Sequence, residues 1–391
     1  MSNSNVRPLR TSFMLAMVVF YLIWSLFALD MPSFSSQISK DGVQQVITEA
    51  QNNAAKADVG STTGTSSGEN TGVLTTIPSA KGESSKSKAH DRPLILYTYA
   101  DSKDGSALEN LKFFVAHGLH AAADFVFILN GKTKAEDIVP DRENVRIVQR
   151  PNECYDLGAF SEVLQKDDLY KRYKRFITMN ASIRGPFVPY WSEDCWTDMF
   201  LSKITDEVKL VGMTANCWPT FHIQSMIWAT DLIGIETLLF PPQKALDYLS
   251  THPITLPPAK IKTENPAASS STNSSSPEAT PVPQAPGING CFADWDAAVA
   301  AEVSSTSLIR AAGYKVEAMM SAYHGNAEYE EGKSCSENRD VLWEGGYFGI
   351  SVHPFETVFI KANRDLSQLV LKRYTQWVDQ MKYSSYDYCR V

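Results

Sequence analysis

Short apolar runs bounded by polar turns recur from about residue 91 to 256 and resume after 291. Leu94-Ile95-Leu96-Tyr97-Thr98-Tyr99 lies between Pro93 and the polar stretch Asp101-Ser102-Lys103-Asp104-Gly105, so it predicts a first strand with a turn behind it. Ala107 to His117 carries apolar residues at helical spacing. Asp124 to Leu129, ending at Asn130-Gly131, predicts a second buried strand, and Val145 to Val148 a short third. Asp156 to Leu169 reads as a helix, Phe176 to Met179 as a fourth strand and Val208 to Met213 as a fifth. Further on, Trp295 to Ala312 predicts an amphipathic helix closed by Gly313, then a short strand from Tyr314 to Val316. Tyr347 to Phe359 reads as loop and strand, and Gln368 to Tyr383 as a terminal helix. Strands alternating with helices predict an α/β fold with a mainly parallel sheet and helices on both faces.

The pattern changes at the N-terminus. Residues 11–29 contain no charge and are long enough to nearly span a bilayer, with Arg7 and Arg10 before them and Asp30 after. This predicts a cytosolic tail (1–10), a transmembrane anchor (11–29) and a type II orientation; a cleaved signal peptide is the competing reading. Residues 30–90 are rich in Ser, Thr, Gly, Asn and Lys and read as a disordered stem. A similar stretch at about 257–290 reads as a disordered insertion carrying the glycosylation sequon Asn273-Ser274-Ser275. The folded part is then one domain within 91–391.

The net charge of −8 argues against a general nucleic-acid binder. Six cysteines (Cys154, Cys195, Cys217, Cys291, Cys335 and Cys389) all follow the apolar segment, so an oxidising lumen permits up to three disulfides among fifteen connectivities. Their spacing suggests no zinc site. Gly-rich phosphate loops, Gly-x-Ser-x-Gly and His-Glu-x-x-His are absent from the sequence.

Two segments carry the candidate chemistry: Asn152-Glu153-Cys154-Tyr155-Asp156-Leu157-Gly158-Ala159-Phe160 and Met179-Asn180-Ala181-Ser182-Ile183-Arg184-Gly185-Pro186-Phe187. In an open α/β sheet, ligands sit where strands end and helices begin. With Val208 to Met213, His222-Ile223-Gln224-Ser225-Met226, Ala301 to Ser304 and Ala311 to Tyr314, these segments resemble the rhamnan synthesis protein F-like glycosyltransferases, a group of GT-A-like nucleotide-sugar enzymes. The resemblance covers most of residues 94 to 360. It implies a GT-A-like (Rossmann-like) fold, a nucleotide-sugar donor, a glycan or glycoconjugate acceptor and residence in the Golgi or endoplasmic reticulum membrane. It places Tyr97, Thr98, Tyr99 and Asn130 around base and ribose, with Asn152, Tyr155, Asp156 and Gly158 nearby. Asp156 can accept hydrogen bonds from sugar hydroxyls or cap its helix, and Gly158 allows a close backbone approach.

Asn180-Ala181-Ser182 stands where many GT-A enzymes carry Asp-x-Asp, whose carboxylates hold a divalent ion (Mn or Mg) against the diphosphate. Neutral Asn180 and Ser182 hold such an ion less well, so the expectation is that a divalent cation is possible but not required. Arg184, His222, Lys361 or Arg364 can meet phosphate oxygens directly, and Gln224 accompanies His222 at a polar site. Inverting transfer needs a base for the acceptor hydroxyl; the candidates are Glu302, Asp296 and Asp294. Two alternatives stay open: a catalytically inactive relative that binds glycans or partners, and a membrane-tethered interaction module.

Overall fold

The apolar runs form a seven-stranded sheet in the order β10-β6-β9-β4-β1-β2-β3. Its strands are β1 (Leu94–Tyr99), β2 (Asp124–Asn130), β3 (Val145–Arg150), β4 (Arg175–Asn180), β6 (Val208–Gly212), β9 (Ile227–Asp231) and β10 (Lys315–Ala318). Short ribbons pair β5 (Ile183–Arg184) with β11 (Ile360–Lys361), and β7 (Ala215–Asn216) with β8 (His222–Ile223). This computed structural model describes residues 90–253, 287–325, 328–329, 340–364 and 367–390. All of them belong to one compact unit, Glu83–Val391. The expected tail, anchor and stem, His90 apart, lie outside the described residues, as do Cys335, Asn273 and the insertion up to residue 286. Among the described residues no helix is long and apolar enough to cross a membrane.

The mainly parallel sheet flanked by helices is present, with one strand reversed. β9 runs antiparallel to both neighbours, β4 and β6. The other ladders, β1 to β2, β2 to β3, β1 to β4 and β6 to β10, are parallel. β9 was not expected from the sequence. It is only five residues long and passes without a break into the next helix, with Asp231 ending the strand and capping the helix by accepting from Gly234 N–H.

The principal helices are α1 (Ser106–His117), α2 (Tyr155–Gln165), α3 (Trp196–Leu201), α4 (Leu232–Leu239), α5 (Gln243–Thr251), α6 (Trp295–Ala311), α7 (Ser321–Gly325), α8 (Pro354–Thr357), α9 (Gln368–Met381) and α10 (Ser385–Tyr388). Successive strand residues point to opposite faces. Tyr97 therefore faces α1, where its ring stacks on Phe114 at 4.9 Å, while Thr98 faces α2. Phe125, Phe127, Trp196 and Phe359 complete the aromatic core around Phe114. On the other face α6 packs against α2, α4 and α5.

Several boundaries differ from expectation. The helix predicted to reach Leu169 ends at Gln165, because Asp167 and Asp168 adopt left-handed conformations (φ 54°) in the tighter segment that follows. The region Tyr347 to Phe359 contains the short helix α8, and its strand falls later, at Ile360–Lys361. The turn before α1 is as predicted, with Gly105 supplying the left-handed step (φ 74°) that leads into the helix.

Cys154 is bonded to Cys291 and Cys195 to Cys389; Cys217 is disulfide-bonded as well. His120, Cys195 and Cys389 come close together, but both sulfurs are spent on the disulfide, so the trio offers no thiolate to a metal.

Candidate functional site

The chain runs from β1 outward through β2 to β3, then returns to place β4 on the other side of β1. That reversal is a topological switch point, and the crevice beyond the carboxyl ends of β1 and β4 is where such sheets bind ligands. Thr98 and Asn180 face each other there in register. Asp156, in the first turn of α2, bridges them: its Oδ1 accepts from Thr98 Oγ1 at 3.0 Å and its Oδ2 from Asn180 Nδ2 at 2.8 Å. Asp156 is therefore not a helix cap. The cap position is Cys154, which makes no side-chain capping bond. Burial pushes the Asp156 carboxyl above the ordinary range, and the Thr98 and Asn180 hydrogen bonds pull it partly back. The residue keeps some surface, but the carboxyl lies deep, and that depth governs its charge.

The Asn180 amide orientation follows from its neighbours. Its Oδ1 accepts from Ser182 N–H at 3.0 Å and Ser182 Oγ at 2.6 Å, and a backbone N–H can only donate. The Asn180–Ser182 turn is thus closed on itself, with its amide nitrogen turned toward Asp156. An oxygen already receiving two donors and an adjacent N–H donor do not fit a hard divalent cation, which requires several free oxygens.

Around this centre stand four more charged groups. Glu302 Oε1 accepts from Ser225 N–H at 2.7 Å, and one turn along α6 Thr306 Oγ1 accepts from Ile223 N–H at 2.8 Å. The two side chains share a helix face and fasten the β8 segment, which among the described residues leaves Oε2 as the uncommitted oxygen of Glu302. Gln224 is buried between Thr214, which donates to its Oε1 at 2.8 Å, and Asp340, which accepts from its Nε2 at 3.2 Å. Asp340 also approaches Arg364, with Oδ2 at 3.7 Å from Nη2. Arg364 lies over the Trp343 ring at 5.0 Å and lines an open cavity of about 920 Å3 together with Asp104, Ser106, Trp343, Ser367 and Gln368. Lys361 lies in the same neighbourhood. Burial pushes its ammonium below the usual lysine range, helped by Arg364 and opposed by Glu302, Asp340 and Asp156.

The structure brings Thr98, Asp156, Asn180, Ser182, Gln224, Glu302, Lys361 and Arg364 into one region. It places other expected residues differently. Tyr97 and Tyr99 are each only 1% exposed, with Tyr97 in the aromatic core and Tyr99 donating to Asp101 at 2.6 Å, so neither ring offers a face to a base. Asn130 is buried and accepts from Arg150 Nη1 at 2.7 Å. Asn152 is exposed, and so is Tyr155, which enters α2 in a left-handed conformation directly after Cys154. Gly158 does permit a close approach, but of protein: a Cβ there would lie 2.6 Å from Cys154 Cβ and 2.9 Å from Gly290 O. Arg184 is held by Asn110 (2.9 Å) and Thr375 (3.3 Å). His222 is buried, with Nδ1 2.8 Å from Thr220 O. Asp294 caps α6 through Ala297 N–H, and Asp296 is an exposed residue of its first turn, so neither joins Glu302 at the centre.

Asp340 and Trp343 were not foreseen, and Ser225 entered only as part of the His222–Met226 segment, with no role of its own. Ser225 acts through its backbone, which leaves no side-chain signal, and Asp340 to Trp343 form no motif with the earlier segments. No protein-family model matches the chain, and no curated protein matches it.

Proposed function

We propose that this chain is a GT-A-like glycosyltransferase that moves a sugar from a nucleotide-sugar to a hydroxyl of a glycan or glycoconjugate. The observation that carries the reading is the buried Asp156 carboxylate at the switch point, held by paired residues from β1 and β4. Near it lie Glu302, Lys361 and Arg364, and Arg364 also lines an open polar cavity. Transfer forms a bond from the acceptor oxygen to the anomeric carbon and breaks the bond to the diphosphate, which leaves with the electron pair. In this reading Asp156 orients sugar hydroxyls, and Glu302 takes the acceptor proton on Oε2 while Ser225 N–H fixes Oε1. The disulfides and the charge pattern around residues 11–29 support a type II protein with its folded domain in the lumen of the secretory pathway.

A thermal-shift screen against nucleotide-sugars tests this reading. A donor at a hundred times its Kd adds about 2.7 kcal/mol to the folded state, which several degrees of Tm would report. A screen in which no nucleotide or nucleotide-sugar raises Tm rejects the reading. One observation favours a second reading, a binding relative without turnover: both Asp156 oxygens and one Glu302 oxygen are already engaged within the protein. Binding of a nucleotide-sugar without release of nucleoside diphosphate selects that alternative. Protease protection in sealed microsomes checks the topology, and digestion of the folded domain without detergent rejects it.

A further inference from the structure

We propose that Lys361 and Arg364 form a fixed cationic site for the donor's diphosphate, in place of a metal ion; this rests on the glycosyltransferase reading above. The placement of Lys361 comes from the β5–β11 ribbon. Lys361 pairs with Ile183, and Ala362 N–H donates to Ser182 O at 2.9 Å, so the lysine is registered directly against the Asn180–Ser182 turn. That turn is where a carboxylate pair would hold a cation, and here it offers none.

The state of the ammonium supports the assignment. Among the described residues, the Lys361 ammonium makes no hydrogen bond and no ion pair. Lys209, which is buried, is by contrast paired with Asp231 at 2.5 Å. The carboxylates facing Lys361 are each engaged with other groups, Glu302 through one of its two oxygens. Asp156 accepts from Thr98 and Asn180, Glu302 from Ser225 N–H, and Asp340 from Gln224 and Leu342 N–H. Lys361 is partly buried, and a desolvated ammonium without a contact partner is costly to the fold, a cost that a ligand anion removes. Arg364, three residues on, carries the second charge to the wall of the 920 Å3 cavity. Its Nε is buried without a partner. Two cations three residues apart in sequence suit the two phosphoryl groups of one diphosphate better than a single cation.

The test is isothermal titration of the full-length protein with inorganic pyrophosphate, and with uridine and guanosine diphosphates, in the presence of EDTA. The expected result is binding without divalent ions that Lys361→Met weakens about tenfold or more, the scale of one lost charged hydrogen bond, and that Lys361→Arg largely restores. Affinity in the wild type falls as pH rises through the lowered ammonium pKa, with Arg364, Glu302, Asp340 and Asp156 as the charged groups facing it; Lys361→Arg removes that dependence. Arg364→Gln supplies an independent arm should Lys361→Met fold poorly, and it too weakens binding. Pyrophosphate that fails to bind the wild type in EDTA overturns the inference, as does binding unchanged in both variants. Lys361-dependent pyrophosphate binding with no turnover of any nucleotide-sugar upholds the cationic site and rejects the transferase. Turnover in EDTA that is indifferent to Lys361→Met does the reverse.

Discussion

Replacing Asp156 in two ways separates its charge from its hydrogen bonds. In Asp156→Ala, Thr98 Oγ1 and Asn180 Nδ2 both lose their acceptor. Thr98 has a fallback, since its hydroxyl also reaches Met179 O at 3.5 Å. Asn180 has none, because Ser182 holds the other end of its amide. One donor is thus left unpaired, at about 1–3 kcal/mol. In Asp156→Asn the new amide oxygen accepts from Asn180 and the new amide nitrogen donates to Thr98 Oγ1, so the network closes again without the buried charge. Asn should therefore exceed Ala by about 1–3 kcal/mol, roughly 3–8 °C in Tm for a domain near this size, and should equal or exceed the wild type at pH 7. The pH dependence has a definite sign. The folded-state pKa of Asp156 is raised, so ionisation penalises the native state. That penalty is fully present above the folded pKa and fades as pH falls toward the unfolded value near 3.9. The advantage of Asn over the wild type should shrink on acidification. Melting curves of the three proteins from pH 8 to pH 4 measure it. If Asp156→Asn is as unstable as Asp156→Ala at pH 7, or its offset from the wild type stays constant with pH, the account of this network is wrong.

Gly158→Ala should lower the denaturant midpoint. Its Cβ would press on Cys154 Cβ and Gly290 O, and overpacking of about 1–3 kcal/mol exceeds the gain of about 1 kcal/mol in helix propensity; a raised midpoint would contradict this packing. His120 is fully buried, and desolvation, aided by Arg92, lowers its pKa to about 4. Its neutral form therefore contributes stability present above the unfolded value of about 6.5 and lost as pH falls toward 4, on the order of 3 kcal/mol. His120→Gln should flatten the acid limb of the stability curve, as chemical denaturation between pH 7 and pH 4 would show. If the chain is a transferase, Glu302→Gln should keep the Ser225 contact and donor affinity but slow turnover about a hundredfold or more; an unchanged rate removes Glu302 from the chemistry.

The strands that build the site were legible because a strand covered on both faces is apolar throughout, as β1 and β2 are. The same fact misled the reading of Tyr97 and Tyr99. In such a strand an aromatic residue near the carboxyl end is core by default, and only the small polar Thr98 turns toward the crevice. Asp156 and Asn180 stood out because they sit at a helix start and a strand end. Lys361 and Arg364 were legible as charges but not as neighbours, since only the β5–β11 pairing brings them beside the Asn180–Ser182 turn. Asp340 and the backbone N–H of Ser225 gave no signal, because their roles depend on contacts across 116 and 77 residues of chain.

The placement of the disulfides bears on how the molecule survives cutting. Cys154 and Cys195 precede residues 254–286, whereas their partners Cys291 and Cys389 follow them. Both borders of that stretch are also stitched to the body: Leu249 of α5 is buried in the core, and Ile288 N–H donates to Leu238 O at 3.0 Å. A protease that cleaves once between 254 and 286 would therefore convert one chain into two without releasing either. The product should run as a single species on a non-reducing gel, split into two bands after reduction, and keep the crevice between β1 and β4 whole, since Thr98, Asp156 and Asn180 all lie on the same side of the cut.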